Sequence, residues 1–231
     1  MWSYEDGGDL AYFDGLADTI LNVAMVTPKP PHIVHLLALL TPVEVVLLGV
    51  SFVGEEMQLV PEPLFTLPCD QLHTSCLVSG VGGRIFMGRR DGHLYEFYYQ
   101  HQERWWGKKT TKVCHTSSNL SWILPGFLGS FTEENPLVQI VIDNNRNILY
   151  TRSEKGTVGV FDLGKDGQGL ERVITITMQK LVLEASRLVT TVETENITSI
   201  VHLAVVPSVE DQMIHLLAVT GGGARLFLTT P

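Results

Sequence analysis

Little of this chain is charged and very little of it is cysteine. Charged residues fill 18% of its 231 positions against 45% for apolar ones, a balance that excludes a disordered tail and suits a compact domain with a core of its own. The three cysteines, Cys69, Cys76 and Cys114, are an odd number in a long chain. That excludes a disulfide framework and is expected of free thiols in a reducing compartment. No apolar run reaches the roughly 18 to 20 residues that span a bilayer, because the most apolar stretch, Ile33 to Phe52, is broken by His35, Thr41, Pro42 and Glu44. The opening residues, Met1-Trp2-Ser3-Tyr4-Glu5-Asp6, hold no basic leader, apolar h-region or small-residue cleavage site, so secretion is not expected. Basic residues are in the minority too. A net charge of −9 repels a phosphate backbone, and no direct nucleic-acid binding is expected. Residues 84–112 are the local exception, with net charge +4 against −13 for the rest.

What the chain does contain is repetition. Three segments share a period-two apolar pattern with a polar residue at the third place: Ile20 to Val26 with Asn22, Leu137 to Ile142 with Gln139, and Ile200 to Val206 with His202. Each reads as a buried strand. After each of them, and after Thr74 to Val78, come a second apolar run, a turn and a returning third run. The pairs are His35 to Leu40 with Val43 to Phe52 around Thr41-Pro42, and Arg84 to Met87 with His93 to Tyr99 around Asp91-Gly92. Asn147 to Thr151 with Thr157 to Leu163 around Lys155-Gly156, and His215 to Val219 with Ala224 to Leu228 around Gly221-Gly222-Gly223, complete the set. Glycine supplies a positive φ at three of the four turns.

Recurrent hairpins with almost no amphipathic helix predict an all-β fold, a β-propeller fragment of about four antiparallel blades, over a generic β-sandwich. The turns at Pro42, Gly92, Gly156 and Gly223 are spaced 50, 64 and 67 residues apart, against roughly 40 to 50 for a compact blade, which demands long loops. Approximate blade units are 10–56, 57–116, 132–170 and 196–231. The chain opens and closes without capping sequence, so a larger, seven-bladed propeller is expected around it. Helical candidates are limited to Asp9 to Thr19, short and glycine-broken, and Gln179 to Val192, of moderate helix-forming composition.

Several motifs with chemical overtones reduce to structure. Gly80-Val81-Gly82-Gly83 precedes a strand, where a phosphate-binding loop needs a helix, and reads as a turn. His32 and His35 stand three apart with no third ligand at metal spacing, so no metal site is expected. Asn119-Leu120-Ser121 and Asn196-Ile197-Thr198 match the glycosylation sequon, which is not used without entry to the secretory route. No nucleophile sits in a catalytic motif, and carboxylates such as Asp143 and Asp162 fall in turns. No catalytic residue, cofactor or small-molecule substrate is expected, and a propeller hydrolase is the least supported reading.

One set of residues goes beyond a common fold. Tyr4-Glu5-Asp6-Gly7-Gly8-Asp9-Leu10, Gly83-Arg84-Ile85-Phe86, Asp91-Gly92-His93-Leu94-Tyr95-Glu96, the run Asp143 to Gly156, Leu217-Ala218-Val219-Thr220 and Arg225-Leu226-Phe227 together resemble the large inner-ring scaffold nucleoporins of the nuclear pore. The order of polar residues from Asn147 to Gly156 is the most distinctive part. The resemblance covers essentially the whole chain and implies the middle of an N-terminal β-propeller that in the family precedes an α-helical solenoid. It further implies a structural, non-enzymatic role in nucleocytoplasmic transport and pore assembly, a place at the nuclear pore complex of the nuclear envelope, and other pore scaffold proteins as partners.

Ser117 to Phe131 is the most informative loop, since bulky apolar residues alternate with serine and glycine and no charge intervenes. If helical, Leu120, Ile123, Leu124, Phe127, Leu128 and Phe131 share one face, and Trp122 adds bulk. With serine and glycine opposite, insertion would draw on apolar burial and lipid-packing defects more than on charge. The resemblance implies a peripheral lipid-packing sensor here, touching the curved pore membrane without spanning it. Pro125-Gly126 works against a continuous helix, since proline inside one costs about 3 kcal/mol. Upstream, Arg104, Lys108, Lys109 and Lys112 form a basic patch worth about 1 kcal/mol per cation beside anionic lipid. Two other readings stay open: a loop packed on its own propeller, and a soluble propeller adapter that grips proteins without membrane contact.

Overall fold

The computed structural model describes residues 14–27, 35–54, 56–60, 62–69, 74–101, 108–116, 135–188 and 199–229. Among these, the strands form four antiparallel sheets. The chain divides into two compact units, residues 1–87 with 95–114 and residues 88–94 with 115–231.

The first unit opens with β1 (Asn22–Val26), β2 (His35–Leu40), β3 (Glu44–Val53), β4 (Glu56–Leu59) and β5 (Phe65–Pro68) in one sheet. Strand β3 is long enough to carry two neighbours on one edge. Its first half pairs with β5, from Glu44↔Pro68 to Leu47↔Phe65, and its second half with β4, from Val50↔Leu59 to Val53↔Glu56. Val60 N–H to Gly49 O at 2.8 Å and Leu64 N–H to Leu47 O at 2.8 Å continue the path between them. The glycine is required by close approach: a Cβ at position 49 would stand 2.8 Å from Val60 Cγ2 and 2.9 Å from Leu64 Cδ1.

The second sheet is a simple meander of β6 (Thr74–Ser79), β7 (Ile85–Arg89), β8 (Leu94–His101) and β9 (Lys108–Cys114). Alternation builds the core between the two sheets. Leu36, Ala38, Leu40, Val45 and Leu47 meet Leu77, Ile85, Met87 and Phe97, all buried, each large side chain contributing about 1.5 to 3 kcal/mol through removal from water. On the reverse face of the first sheet Leu39, Val46 and Leu48 are buried, and the partly buried Leu16 and Leu37 pack against them. Burial on both faces is why His35 to Phe52 reads as a near-continuous apolar run.

In the second unit, β10 (Leu137–Asp143), β11 (Ile148–Ser153), β12 (Val158–Asp162) and β13 (Glu171–Ile176) form one sheet. Helix α1 (Met178–Leu188) leads on to a three-stranded sheet of β14 (Ile200–Val205), β15 (Leu216–Thr220) and β16 (Arg225–Leu228). Tyr150, Val158, Val160 and Leu181 pack against Ile200, Leu203, Leu216 and Ala218. The helix overlaps Gln179 to Val192, the segment whose composition predicts one, and begins one residue before it.

Three hairpin turns share one geometry. Gly92, Gly156 and Gly223 have φ of 79°, 78° and 85°, and their N–H groups donate to Arg89, Ser153 and Thr220 O. The same three residues donate in turn to His93, Thr157 and Ala224 O. This is the three-residue loop closed by a left-handed residue, where glycine escapes the Cβ penalty. The β2–β3 turn does without glycine: the buried Thr41 hydroxyl donates to Glu44 O and accepts from Glu44 N–H, each at 3.0 Å.

Candidate functional site

Of the polar residues at the third place of the repeated strands, Gln139 proves to be a connector. Gln139 on β10 holds both backbone groups of Leu203 on β14, its Nε2 donating to Leu203 O at 2.8 Å and its Oε1 accepting from Leu203 N–H at 2.9 Å. A side-chain amide thereby imitates one rung of a ladder between two sheets that share no strand. Arg152 fixes the amide, donating from Nε to Gln139 Oε1 at 3.2 Å and from Nη1 to Ile200 O at 3.3 Å. Both strands change register just before the connector, between Leu137 and Gln139 and between Ile200 and His202, as a β-bulge does when it re-aims a side chain. In the first unit Ser79 on β6 donates its hydroxyl to Met25 O on β1 at 2.5 Å, and Thr110 on β9 donates to Thr66 O on β5 at 3.1 Å.

A second clamp lies in the second unit. Asp143 Oδ1 accepts from Asn145 and Arg146 N–H at 3.0 Å, closing the β10–β11 turn. The Arg146 guanidinium pairs with Asp143 Oδ2 at 2.6 Å and reaches Val206 O at 2.8 Å and Asp211 O at 2.6 Å. Asp211 Oδ1 accepts from Met213 and Ile214 N–H, and those two bonds, Ile214's first, hold its carboxyl below the usual range. Asp162 Oδ1 accepts from Gly164 N–H at 2.8 Å. The carboxylates of Asp143 and Asp162 thus serve turns, as their sequence positions predict.

Sheet two carries a buried ion pair on its other face. Arg84 binds Glu96 at 2.7 and 2.8 Å, stacks over Phe86 at 4.7 Å, and Tyr98 donates to Glu96 Oε2 at 2.9 Å. Burial, then the Glu96 hydrogen bond and charge, raises the Tyr98 phenol. Burial pushes Tyr99, which donates to Gly83 O at 2.9 Å, up to about 12.

The apolar candidates Leu120, Trp122, Ile123, Leu124, Phe127, Leu128 and Phe131 lie outside the described residues, as do Arg104 and both sequons. Lys108, Lys109 and Lys112 belong to β9, opposite His101, Gln100 and Phe97, so these three stand on a regular strand. The flanks of the apolar segment are well defined. Before it, Thr116 Oγ1 accepts from Leu94 N–H at 2.9 Å and contacts His93 Nδ1 at 3.1 Å. After it, Asn135 Oδ1 accepts from Lys155 N–H at 3.1 Å, and a Cβ on Gly92 would lie 2.9 Å from Asn135 O. Departure and return therefore converge on one turn, Asp91-Gly92-His93.

His35 contacts Thr27 Oγ1 at 3.3 Å and meets Phe52 edge-on, a packing role, while His32 lies outside the described residues. Among the described residues no cluster of histidine, cysteine and carboxylates has metal-binding geometry, and no helix is long and apolar enough to cross a membrane. Cys69, Cys76 and Cys114 form no disulfide. Gly80 to Gly83 forms a tight turn, with positive φ at Gly82 and Gly83, that leads into β7.

Comparison with known proteins extends over this whole framework. The family model described as Nup133 N terminal like, a nucleoporin N-terminal family, matches residues 1–231. The nuclear pore complex protein Nup154 of Drosophila melanogaster is 38% identical over all of this chain and 17% of its own length. A probable nucleoporin of Schizosaccharomyces pombe is 30% identical over 99% of this chain and 18% of its own length. The chain thus spans about one-sixth of the length of these curated relatives. A crystal structure of the Chaetomium thermophilum Nup170 N-terminal domain in complex with Nup53 matches 94% of this chain and 31% of the solved one, at 27% identity and a TM-score of 0.75.

Proposed function

This chain belongs to the nucleoporin N-terminal family, its four antiparallel sheets are part of a β-propeller region, and from that premise we propose that it is a scaffold component of the nuclear pore complex. The observation that carries the reading is the match of family model and 38%-identical relative along the entire chain. The proposed place is the inner ring at the nuclear envelope, where the chain supports pore assembly and nucleocytoplasmic transport without catalysis. Its proposed partners are other pore scaffold proteins. The similar Nup170 domain was solved with Nup53, so a Nup53-type protein is the first to test. Rim staining of the nucleus by the tagged full-length protein is expected; diffuse cytosolic signal would refute the placement.

The finer part of the proposal is peripheral contact with curved membrane through residues 117–131. An uncharged sequence of bulky apolar residues set among serine and glycine supports it. So does the convergence of Thr116 and Asn135 on one turn, since the sheets on either side are then closed without the residues between them. Purified chain is expected to co-float with small liposomes more than with large ones, and a folded Trp122→Asp, Phe127→Asp variant to lose the preference. Equal or absent flotation would leave a protein-binding scaffold module without membrane contact.

A further inference from the structure

The loop between β14 and β15 displays the two most exposed of the large apolar side chains among the described residues, Val209 at 90% and Met213 at 72%. Single exposed apolar residues are ordinary. These two differ because the loop that carries them is held. Val206 N–H to His215 O closes its base, and Glu210 and Asp211 N–H both donate to Pro207 O. From the neighbouring sheet Arg146 grips the carbonyls of Val206 and Asp211, while the Asp211 carboxylate orders the Met213 and Ile214 amides. An apolar pair presented on a preordered loop loses little further conformational entropy on contact, which is what a binding anchor needs.

Charge narrows the occupant. Glu210 is exposed, and the depressed carboxyl of Asp211 is ionised at neutral pH. The adjacent cation, Arg146, is committed to Asp143 and two carbonyls. Beside these groups lies an open depression of about 590 Å³ lined by Arg146 and residues 208–212. The loop therefore offers apolar tips in a negative surround.

We propose that the β14–β15 loop is a protein-docking surface whose occupant is an extended segment carrying an apolar side chain flanked by lysine or arginine. The apolar side chain lies against Val209 and Met213, and the cation meets Glu210 and Asp211. This surface is separate from the 117–131 segment and goes beyond the scaffold reading, which stands or falls on its own tests.

The test titrates a short blocked peptide alternating lysine with leucine into the isotope-labelled full chain and follows amide and methyl shifts by NMR. Changes confined to residues 206–215 are expected, with affinity reduced about tenfold or more in Val209→Ser, Met213→Gln. Both side chains are exposed, so the fold is retained, as an unchanged thermal midpoint will check. Arg146→Gln should weaken binding with both apolar tips in place, a result that mere stickiness would not produce. Glu184→Gln, on α1, should leave binding unchanged. The proposal is overturned by absence of binding, by binding that survives the Val209, Met213 substitution, or by equal binding of a peptide with glutamate for lysine. A dimer in sedimentation that dissolves on the same double substitution would also overturn it, by making a second copy the occupant.

Discussion

Replacing Gln139 by leucine tests whether the side-chain amide holds two sheets together. Leucine has nearly the volume of glutamine but neither donor nor acceptor, so Leu203 loses a partner for both its N–H and its C=O. Leu203 is 1% exposed, and a buried backbone group left unsatisfied costs about 1 to 3 kcal/mol. Gln139 itself is only half-buried, so water can approach from its side, and the low end of that range applies to each group. The sum is about 2 to 3 kcal/mol, a large fraction of the roughly 5 to 15 kcal/mol that holds a typical domain folded. Urea unfolding followed by circular dichroism should show that loss with little change in slope. Hydrogen exchange at the Leu203 amide should accelerate about thirtyfold or more, since 1.4 kcal/mol is a factor of ten. Gln139→Glu keeps the acceptor for Leu203 N–H and removes the donor to Leu203 O, so it should protect that amide better than leucine does. A stability change under about 0.5 kcal/mol with unaltered exchange at Leu203 would refute the reasoning, because it would mean that β14 holds its place without β10.

Glu96→Ala leaves the Arg84 guanidinium, whose side chain is 9% exposed, without its carboxylate, and should cost about 3 to 5 kcal/mol in urea unfolding. The pair Arg84→Met, Glu96→Leu should cost far less, since it removes both charges. At high pH, Tyr99 ionises in the unfolded chain near 10.0 but in the folded chain only at about 12, and Tyr98 is raised in the same direction. A raised acid favours its neutral form in the fold, so this stability is fully present below pH 10 and is lost as pH climbs from about 10 to about 12. Thermal midpoints across that window should fall, and Tyr99→Phe should fall less steeply.

Much of the fold is legible in residue order alone. Strands β1 to β3, β6 to β8, β10 to β12 and β14 to β16 show as alternation or apolar runs, because each faces a core, and three of their turns are marked by glycine. The outer strands β4, β5, β9 and β13 are less visible. Lys108-Lys109-Thr110-Thr111-Lys112 and Glu171-Arg172 are polar throughout, so no apolar period distinguishes them from loop. The first sheet accordingly runs to Pro68 and the third to Ile176, past residues 56 and 170, where turn spacing alone sets the unit limits.

The candidate sites divide in the same way. The uncharged apolar character of residues 117–131 is a property of composition and needs no coordinates. Its attachment to the Asp91-Gly92-His93 turn depends on Thr116 and Asn135 arriving together, which no local pattern announces. Gln139 and Arg146 are single polar residues whose partners, Leu203 and Asp211, lie 64 and 65 positions away. By itself the sequence determined which residues enter strands, where the chain turns and which segments are apolar, because burial and φ preference act on neighbours in the chain. Only the tertiary structure decided which sheet meets which, what Gln139 holds and where the loops are pinned, because a hydrogen bond is set by distance in space.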